Sequence, residues 1–189
     1  PPEQSLDWSE TGVEGMYRFL RRFWAQVNKH VESGAVPILN VDALSAPAKT
    51  LRRQLHETIQ KVADDYGRRL TFNTAIAAVM ELLNATAKFE VQSENDRALL
   101  QEAFEATVLL INPITPHAAH ALWQLLGHPE TTLETLRFPS PDAKALVRDT
   151  VQLAVQVNGK LRATIEVAMN ASKESVEALA TEEPNVRKF

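Results

Sequence analysis

Basic side chains are concentrated in two stretches of the sequence, and their chemistry suits the binding of phosphate groups. In the first stretch Arg18, Arg22 and Lys29 recur at four- and seven-residue spacing, so they share one face of a helix. In the second stretch the cations Lys49, Arg52, Arg53, Lys61, Arg68 and Arg69 face only the acids Glu57, Asp64 and Asp65. A track for RNA phosphates is one interpretation. A solvated surface with salt bridges is the other, and spacing alone favours it.

Other chemistry has little support in the sequence. Cysteine is absent, so thiolate chemistry and disulfides are excluded. His117 and His120 stand three residues apart, but two histidines without a third nearby ligand are weak grounds for a metal site. The glycines are scattered outside any strand–loop–helix motif that could cradle a phosphate. Among the aromatic residues that could stack on bases, we expect Trp24 to lie in the core and Trp8 at a domain junction.

Composition limits the class of protein. Hydrophobic residues make up 44% and charged residues 23% of the 189, which is typical of a soluble globular protein. No apolar run approaches the roughly 18 residues that a membrane-spanning helix needs, and residues 1–4 do not resemble a signal peptide. The net charge of −4 argues against a surface that is basic all over, but it allows a local basic patch. We expect a monomeric cytoplasmic protein without a membrane partner, and a chain that is part of something larger.

Five amphipathic segments are available to position the basic residues. The first helix begins after Ser9 as N-cap and ends at Ser33-Gly34. The second covers about residues 48–66 and stops at Gly67. The remaining three begin near Thr71, Ser93 and Thr115, and the third is expected to bury the stripe Phe72, Ile76, Val79, Met80 and Leu83. Wide apolar faces and short links predict an antiparallel helical bundle over residues 1–141.

The pattern changes after the proline-containing connection that ends at Pro141. Residues 151–157 and 161–167 alternate between apolar and polar types around Asn158-Gly159, which predicts a β-hairpin with a two-residue turn. A helix is expected over residues 172–180. One hairpin and one helix bury little surface, so we expect residues 142–189 to be an incomplete small α/β domain. The fold class is therefore mainly α, a helical bundle followed by a partial α/β domain.

Four stretches resemble the leucyl-tRNA synthetases, which are class I aminoacyl-tRNA synthetases. These stretches are PPEQSLDWSETGVEG (1–15), LHETIQKV (55–62) with FNTAIAA (72–78), NPITPH (112–117) and VQVNGKLR (155–162). The third is shared with related class I enzymes, but the combination occurs in the family's order along nearly the whole chain. The resemblance implies a bundle of the anticodon-binding type, followed by the start of the family's carboxy-terminal domain.

The resemblance also implies what the chain does and what it lacks. The family activates leucine with ATP and transfers it to leucine tRNA, and its catalytic domain uses ATP and Mg. Signatures of the His-Ile-Gly-His and Lys-Met-Ser-Lys-Ser kind are missing from these 189 residues. We therefore expect no cofactor, no ligase activity and no editing activity for this chain alone. The implied partners are leucine tRNA and the parent enzyme's catalytic domain.

Site residues follow from combining the basic stretches with the resemblance. We expect tRNA phosphates to be contacted from one outward surface by Arg18, Arg22, Arg52, Arg53, Lys61, Arg69, Lys160 and Arg162. We expect the bundle to pack against the catalytic domain through Trp8, Gly12, Glu14 and Gly15. Two alternatives stay open: a helical module that docks onto protein partners, and the equivalent bundle of a valyl-, isoleucyl- or methionyl-tRNA synthetase.

Overall fold

The described residues of the chain fold into helices and one β-hairpin. The computed structural model describes residues 8–147, 150–169 and 171–188, so residues 1–7 of the first family motif lie outside the described part. The helices and strands are α1 (Glu10–Glu32), α2 (Ala46–Asp64) with a π-helical turn (Asp65–Arg69), α3 (Phe72–Lys88), α4 (Glu94–Ile111), α5 (Pro116–Leu125), β1 (Thr150–Val157), β2 (Lys160–Ala168) and α6 (Lys173–Glu182). This confirms the mainly α fold class. Contacts between Cα atoms divide the chain into residues 1–146 and 147–189.

The core of the first unit is built around α4, which packs against each of the other four long helices. Every helix contributes a fully buried side chain, and examples in chain order are Phe23, Leu55, Leu82, Leu99 and Leu122. Burial of each such side chain stabilises the fold by about 1.5–3 kcal/mol. The bundle therefore provides a rigid frame whose outer faces carry the basic residues.

Helix starts follow the local sequence closely. The Ser9 hydroxyl accepts a hydrogen bond from the Gly12 amide at 3.2 Å, and the Ser93 hydroxyl accepts one from the Asp96 amide at 3.1 Å. Ser9 is the N-cap that the sequence predicts, and Ser93 is the N-cap of the helix that the sequence predicts to begin near it. The Asp96 carboxylate in turn accepts a hydrogen bond from the Gln92 amide, one residue before the cap.

The end of α2 differs from the prediction. Gly67 does not stop the helix, because the chain continues through a π-helical turn to Arg69. The turn ends at Leu70, whose φ of 52° is in the left-handed region and reverses the chain toward α3. A left-handed non-glycine residue is unusual, so hydrogen bonds elsewhere at this corner must hold it.

The buried face of α3 is also rotated from the expected stripe. Val79 and Leu83 of the expected stripe are buried, but Phe72 is 44% exposed, and Ala75 and Leu82 are buried although they lie outside the stripe. The packed face includes small alanines, because α3 lies closely against α2. A stripe of large apolar residues therefore predicts only part of this face.

The second unit contains the predicted hairpin. β1 and β2 pair antiparallel, and Asn158-Gly159 forms the turn with φ values of 53° and 74°. Positive φ at both turn residues is the type I′ geometry that matches the strand twist. A bulge interrupts the register between Val155 and Gln156. α6 packs against β2, and Ile165 is buried in this unit.

Candidate nucleic-acid interface

Arg52 is part of an internal ion-pair network. Its guanidinium donates to both carboxylate oxygens of Glu102, with nitrogen–oxygen distances of 2.9 and 3.0 Å. A third nitrogen lies 3.0 Å from the carboxylate of Asp142, and only 11% of the Arg52 side chain is exposed. Bidentate pairing of this kind is strong and fixes geometry. Arg52 therefore joins α2 and α4 to the segment after α5.

His56 extends this network by one helical turn. Its Nδ1 accepts a hydrogen bond from the Asp142 amide at 3.1 Å, so Nε2 carries a proton and lies 3.4 Å from Glu102. Burial raises the pKa of Glu102, but the nearby His56 ring and the hydrogen bonds from Arg52 outweigh it and keep that pKa below its ordinary value. The network holds a charged, partly buried carboxylate on α4.

Arg53 lies on a different face of α2 from Arg52. One residue turns a helix by about 100°, so Arg53 points away from α4. Arg53 and Lys61 line a surface cavity of about 410 Å³ between α2 and α3, which Glu57 and Glu81 also line. Arg53, unlike its sequence neighbour Arg52, therefore faces a groove that a ligand could enter.

Lys61 and Arg69 meet at one buried carboxylate. The ammonium of Lys61 lies 2.7 Å from Asp65 Oδ2, and the guanidinium of Arg69 lies 3.3 Å from Asp65 Oδ1. Asp65 is fully buried, whereas the Lys61 and Arg69 side chains are 45% and 50% exposed. These two cations are thus brought together at the surface, beside the cavity lined by Arg53.

Arg68 forms a second, more exposed pair at the same corner. Its guanidinium donates to the Asp64 carboxylate through two nitrogens. The hydrogen bond from Arg68 lowers the pKa of Asp64 below its ordinary value. Exposed pairs of this type contribute little stability, so Arg68 can exchange its partner for a phosphate at low cost.

The basic residues of α1 form a separate group. Arg18 pairs with Glu14 at 3.1 Å, with both side chains mostly exposed, and Arg22 is exposed on the next turn. α1 packs mainly on α4 and α5, whereas α2 packs mainly on α3 and α4. The predicted cations of the first unit therefore form two groups. One group is on α1, and the other is on α2 and the π-helical turn that follows it.

The hairpin carries the last two predicted cations. Lys160 is exposed at the start of β2, directly after the turn, and Arg162 is half-buried. Both lie in the unit formed by residues 147–189.

The start of α1 presents an exposed apolar surface. Trp8 is 82% exposed, and Val13, Met16 and Tyr17 also have large exposed fractions. The expectation that Trp24 is core is wrong, because that side chain is exposed while its neighbour Phe23 is fully buried. The apolar side chains of α1 therefore cover a wider face of the helix than the bundle buries.

Among residues 8–147, 150–169 and 171–188, no group of three or more His, Asp or Glu side chains is arranged to hold a metal ion. No helix in the same ranges is both long and apolar enough to cross a membrane.

The predicted site residues do not include two acids that bind these cations. Glu102 holds Arg52 in the bundle, whereas Asp65 holds Lys61 and Arg69 at the surface. The spacing Lys61, Asp65, Arg69 is a signal for Asp65, because residues four apart are neighbours on a helix. The Arg52–Glu102 pair spans 50 positions of sequence, and no local pattern indicates it.

Comparison with known proteins places this arrangement in a family. Residues 48–178 match the sequence profile described as the anticodon-binding domain of tRNA ligase. The full chain is 69% identical to leucine–tRNA ligase of Stenotrophomonas maltophilia (strain K279a) and 66% identical to that of Xanthomonas axonopodis pv. citri (strain 306), and it covers 22% of each. It thus spans about a fifth of the length of these relatives.

A solved structure has the same fold. It is a leucyl-tRNA synthetase of Agrobacterium radiobacter K84, crystallised as a ternary complex with tRNA and LeuAMS. The TM-score is 0.76 at 25% sequence identity, and the match covers 97% of this chain and 23% of that one. The profile match covers well over half of the sequence, and the chain belongs to the anticodon-binding domain family of tRNA ligases.

Proposed function

We propose that this chain is the tRNA-positioning part of a leucyl-tRNA synthetase, which holds leucine tRNA while a separate catalytic domain attaches leucine to it. Alignment of all 189 residues with part of leucine–tRNA ligases, at 65–69% identity, supports the leucyl enzyme over its valyl, isoleucyl and methionyl relatives. The 189 residues contain neither catalytic signature of the family. Leucylation therefore belongs to the parent enzyme.

The observation that carries the proposal is the group of cations at the junction of α2 and α3. Arg53 and Lys61 line one groove, and Lys61 and Arg69 share the buried carboxylate of Asp65 beside it. Closely spaced cations on a rigid helix suit an RNA backbone, where contacts to phosphates position the nucleic acid without reading its sequence. We call Lys49, Arg53, Lys61, Arg68 and Arg69 the α2 basic group.

Arg18 and Arg22 form a second contact point in this proposal, and Lys160 and Arg162 a third. Arg52 is left out of the interface. Its guanidinium is occupied by Glu102 and Asp142, and moving it to a phosphate would leave a partly buried carboxylate without its cation.

The exposed start of α1 has a different role in the proposal. Trp8, Gly12, Glu14 and Gly15 belong to the segment whose apolar side chains the bundle leaves uncovered. We assign this segment to packing against the parent enzyme's catalytic domain. A general protein-interaction module is the second candidate, and the same exposed surface is the observation that favours it.

We also propose a domain boundary slightly later than residue 141. Asp142 is bonded to Arg52 and His56 in the bundle, so its segment belongs with the helices. Residues 147–189 then form the beginning of the carboxy-terminal domain.

Titration of labelled leucine tRNA with this chain tests the proposal. We expect measurable binding at about 50 mM monovalent salt and a loss of at least tenfold at about 200 mM, because several phosphate contacts release counterions. Absence of binding at the lower salt concentration would refute a tRNA-positioning role. Binding of proteins but not RNA would favour the second candidate.

A further inference from the structure

Asp65 is the centre of a hydrogen-bonded corner between α2 and α3. Its side chain is fully buried, and its carboxylate accepts hydrogen bonds from the hydroxyls of Thr71 at 3.0 Å and Thr74 at 2.7 Å. The same carboxylate binds Lys61 at 2.7 Å and Arg69 at 3.3 Å. Four side chains from three consecutive elements thus converge on one acid.

The backbone of the corner is folded around the same residue. The carbonyl of Asp65 accepts hydrogen bonds from the amides of Leu70 and Thr71, and Leu70 takes the left-handed conformation with φ of 52°. Burial raises the pKa of Asp65, but the hydrogen bonds from Lys61, Thr74 and Thr71 outweigh it and leave that pKa below its ordinary value. The carboxylate is therefore charged at neutral pH.

The two kinds of partner differ in exposure. Thr71 and Thr74 are half-buried, whereas Lys61 and Arg69 extend to the surface with about half of each side chain exposed. An ammonium has three N–H donors and a guanidinium five. Each cation thus keeps donors beyond those that Asp65 uses. Two cations around one acid leave a net positive charge at the surface.

We propose that Asp65 is a positioning residue, which fixes Lys61 and Arg69 as a preformed clamp for one phosphate of the bound RNA. This inference rests on the tRNA-binding role proposed above. Long cationic side chains lose rotamer freedom when they bind. A buried acid that holds them in place removes part of that cost before the RNA arrives.

The neighbouring acid provides a matched control. Asp65→Asn and Asp64→Asn remove the same charge one residue apart, but Asp64 is on the surface and pairs with Arg68. Loss of a negative charge alone should tighten RNA binding. We expect Asp64→Asn to bind leucine tRNA at least as well as the unaltered chain, and Asp65→Asn to bind it about three- to tenfold more weakly at low salt.

A second set of variants separates positioning from folding. Thr74→Val removes a hydrogen bond to Asp65 but leaves both cations paired, so we expect it to lower thermal stability without changing RNA affinity. Binding is measured at a temperature where circular dichroism shows each variant to be folded. We also expect the effects of Asp65→Asn and Arg69→Ala on tRNA binding to combine to less than their product, because part of the effect of Asp65→Asn acts through Arg69.

The outcomes distinguish the two proposals. If the unaltered chain shows no salt-dependent binding, the tRNA role fails and the clamp fails with it. If the chain binds RNA but Asp65→Asn behaves like Asp64→Asn, only the clamp is refuted. Equal weakening by Thr74→Val, or effects of Asp65→Asn and Arg69→Ala that multiply, would also overturn the clamp, because they indicate a general structural contribution.

Discussion

Arg52 and Arg53 show how adjacent identical residues acquire different roles. The helix turns Arg52 toward Glu102 and Asp142, where it is 11% exposed, and turns Arg53 toward the groove between α2 and α3. An arginine held by two carboxylates contributes to folding. An arginine beside an open groove is available to a ligand.

We expect Arg52→Ala to destabilise the bundle by about 2 kcal/mol, because it leaves the carboxylate of Glu102 without its bidentate partner. Arg53→Ala should change stability by less than about 0.5 kcal/mol. The expected effects on tRNA binding have the opposite order. Arg53→Ala should weaken tRNA binding several-fold, whereas Arg52→Ala should not. Urea unfolding and tRNA titration of both variants check this. A larger RNA effect for Arg52→Ala would contradict the division between the two arginines.

Among the helices, α1 changes from an exposed to a packed environment along its length. Its later turns bury Phe23 and Val27, whereas its first turns leave Val13 and Tyr17 exposed. Gly15 is within the exposed part, and a Cβ placed there would meet nothing within 4 Å. The first turns thus depend on helix propensity more than on packing.

We expect Gly15→Ala to stabilise the start of α1 by about 0.5–1 kcal/mol, because alanine loses less backbone entropy than glycine. Hydrogen exchange of the amides in residues 13–18 should slow several-fold. Gly12→Ala is the comparison, since its Cβ would approach the Ser9 hydroxyl at 3.3 Å and disturb the N-cap. Unchanged or faster exchange in Gly15→Ala would show that packing, not propensity, holds this segment.

Local elements could be predicted from the sequence, because their causes are local. Ser9 and Ser93 cap their helices through contacts three residues away, and Asn158-Gly159 forms the turn that its residue types favour. The orientation of α3 and the exposure of Trp24 depend on how closely neighbouring helices approach. The site also depends on tertiary contacts. Residue types indicate where the cations are, but the sequence does not indicate that Arg52 is bound by Glu102.

For the molecule as a whole, carboxylates that accept hydrogen bonds in the folded chain make stability depend on pH. The pKa values of Asp65 and Glu102 are lowered by hydrogen bonds from cations and hydroxyls in the folded chain. Unfolded carboxyls titrate near pH 4, so this stability is present above about pH 4 and is lost as pH falls through the lower folded values.

We therefore expect the free energy of unfolding to decrease from pH 5 to pH 3, measured by urea unfolding. In Asp65→Asn the decrease should be smaller, because one of the responsible carboxylates is missing. An equally steep decrease in that variant would show that Asp65 does not contribute to acid sensitivity.

The α2 basic group is the surface that we propose holds tRNA, and lysine footprinting measures tRNA contact at its lysines. Acetylation of this chain with and without leucine tRNA, read by mass spectrometry, reports the exposure of each lysine. We predict that tRNA protects Lys49 and Lys61 several-fold and leaves Lys88, at the end of α3, unchanged. If Lys49 and Lys61 are acetylated equally with and without saturating tRNA, the α2 basic group is not the tRNA-binding surface.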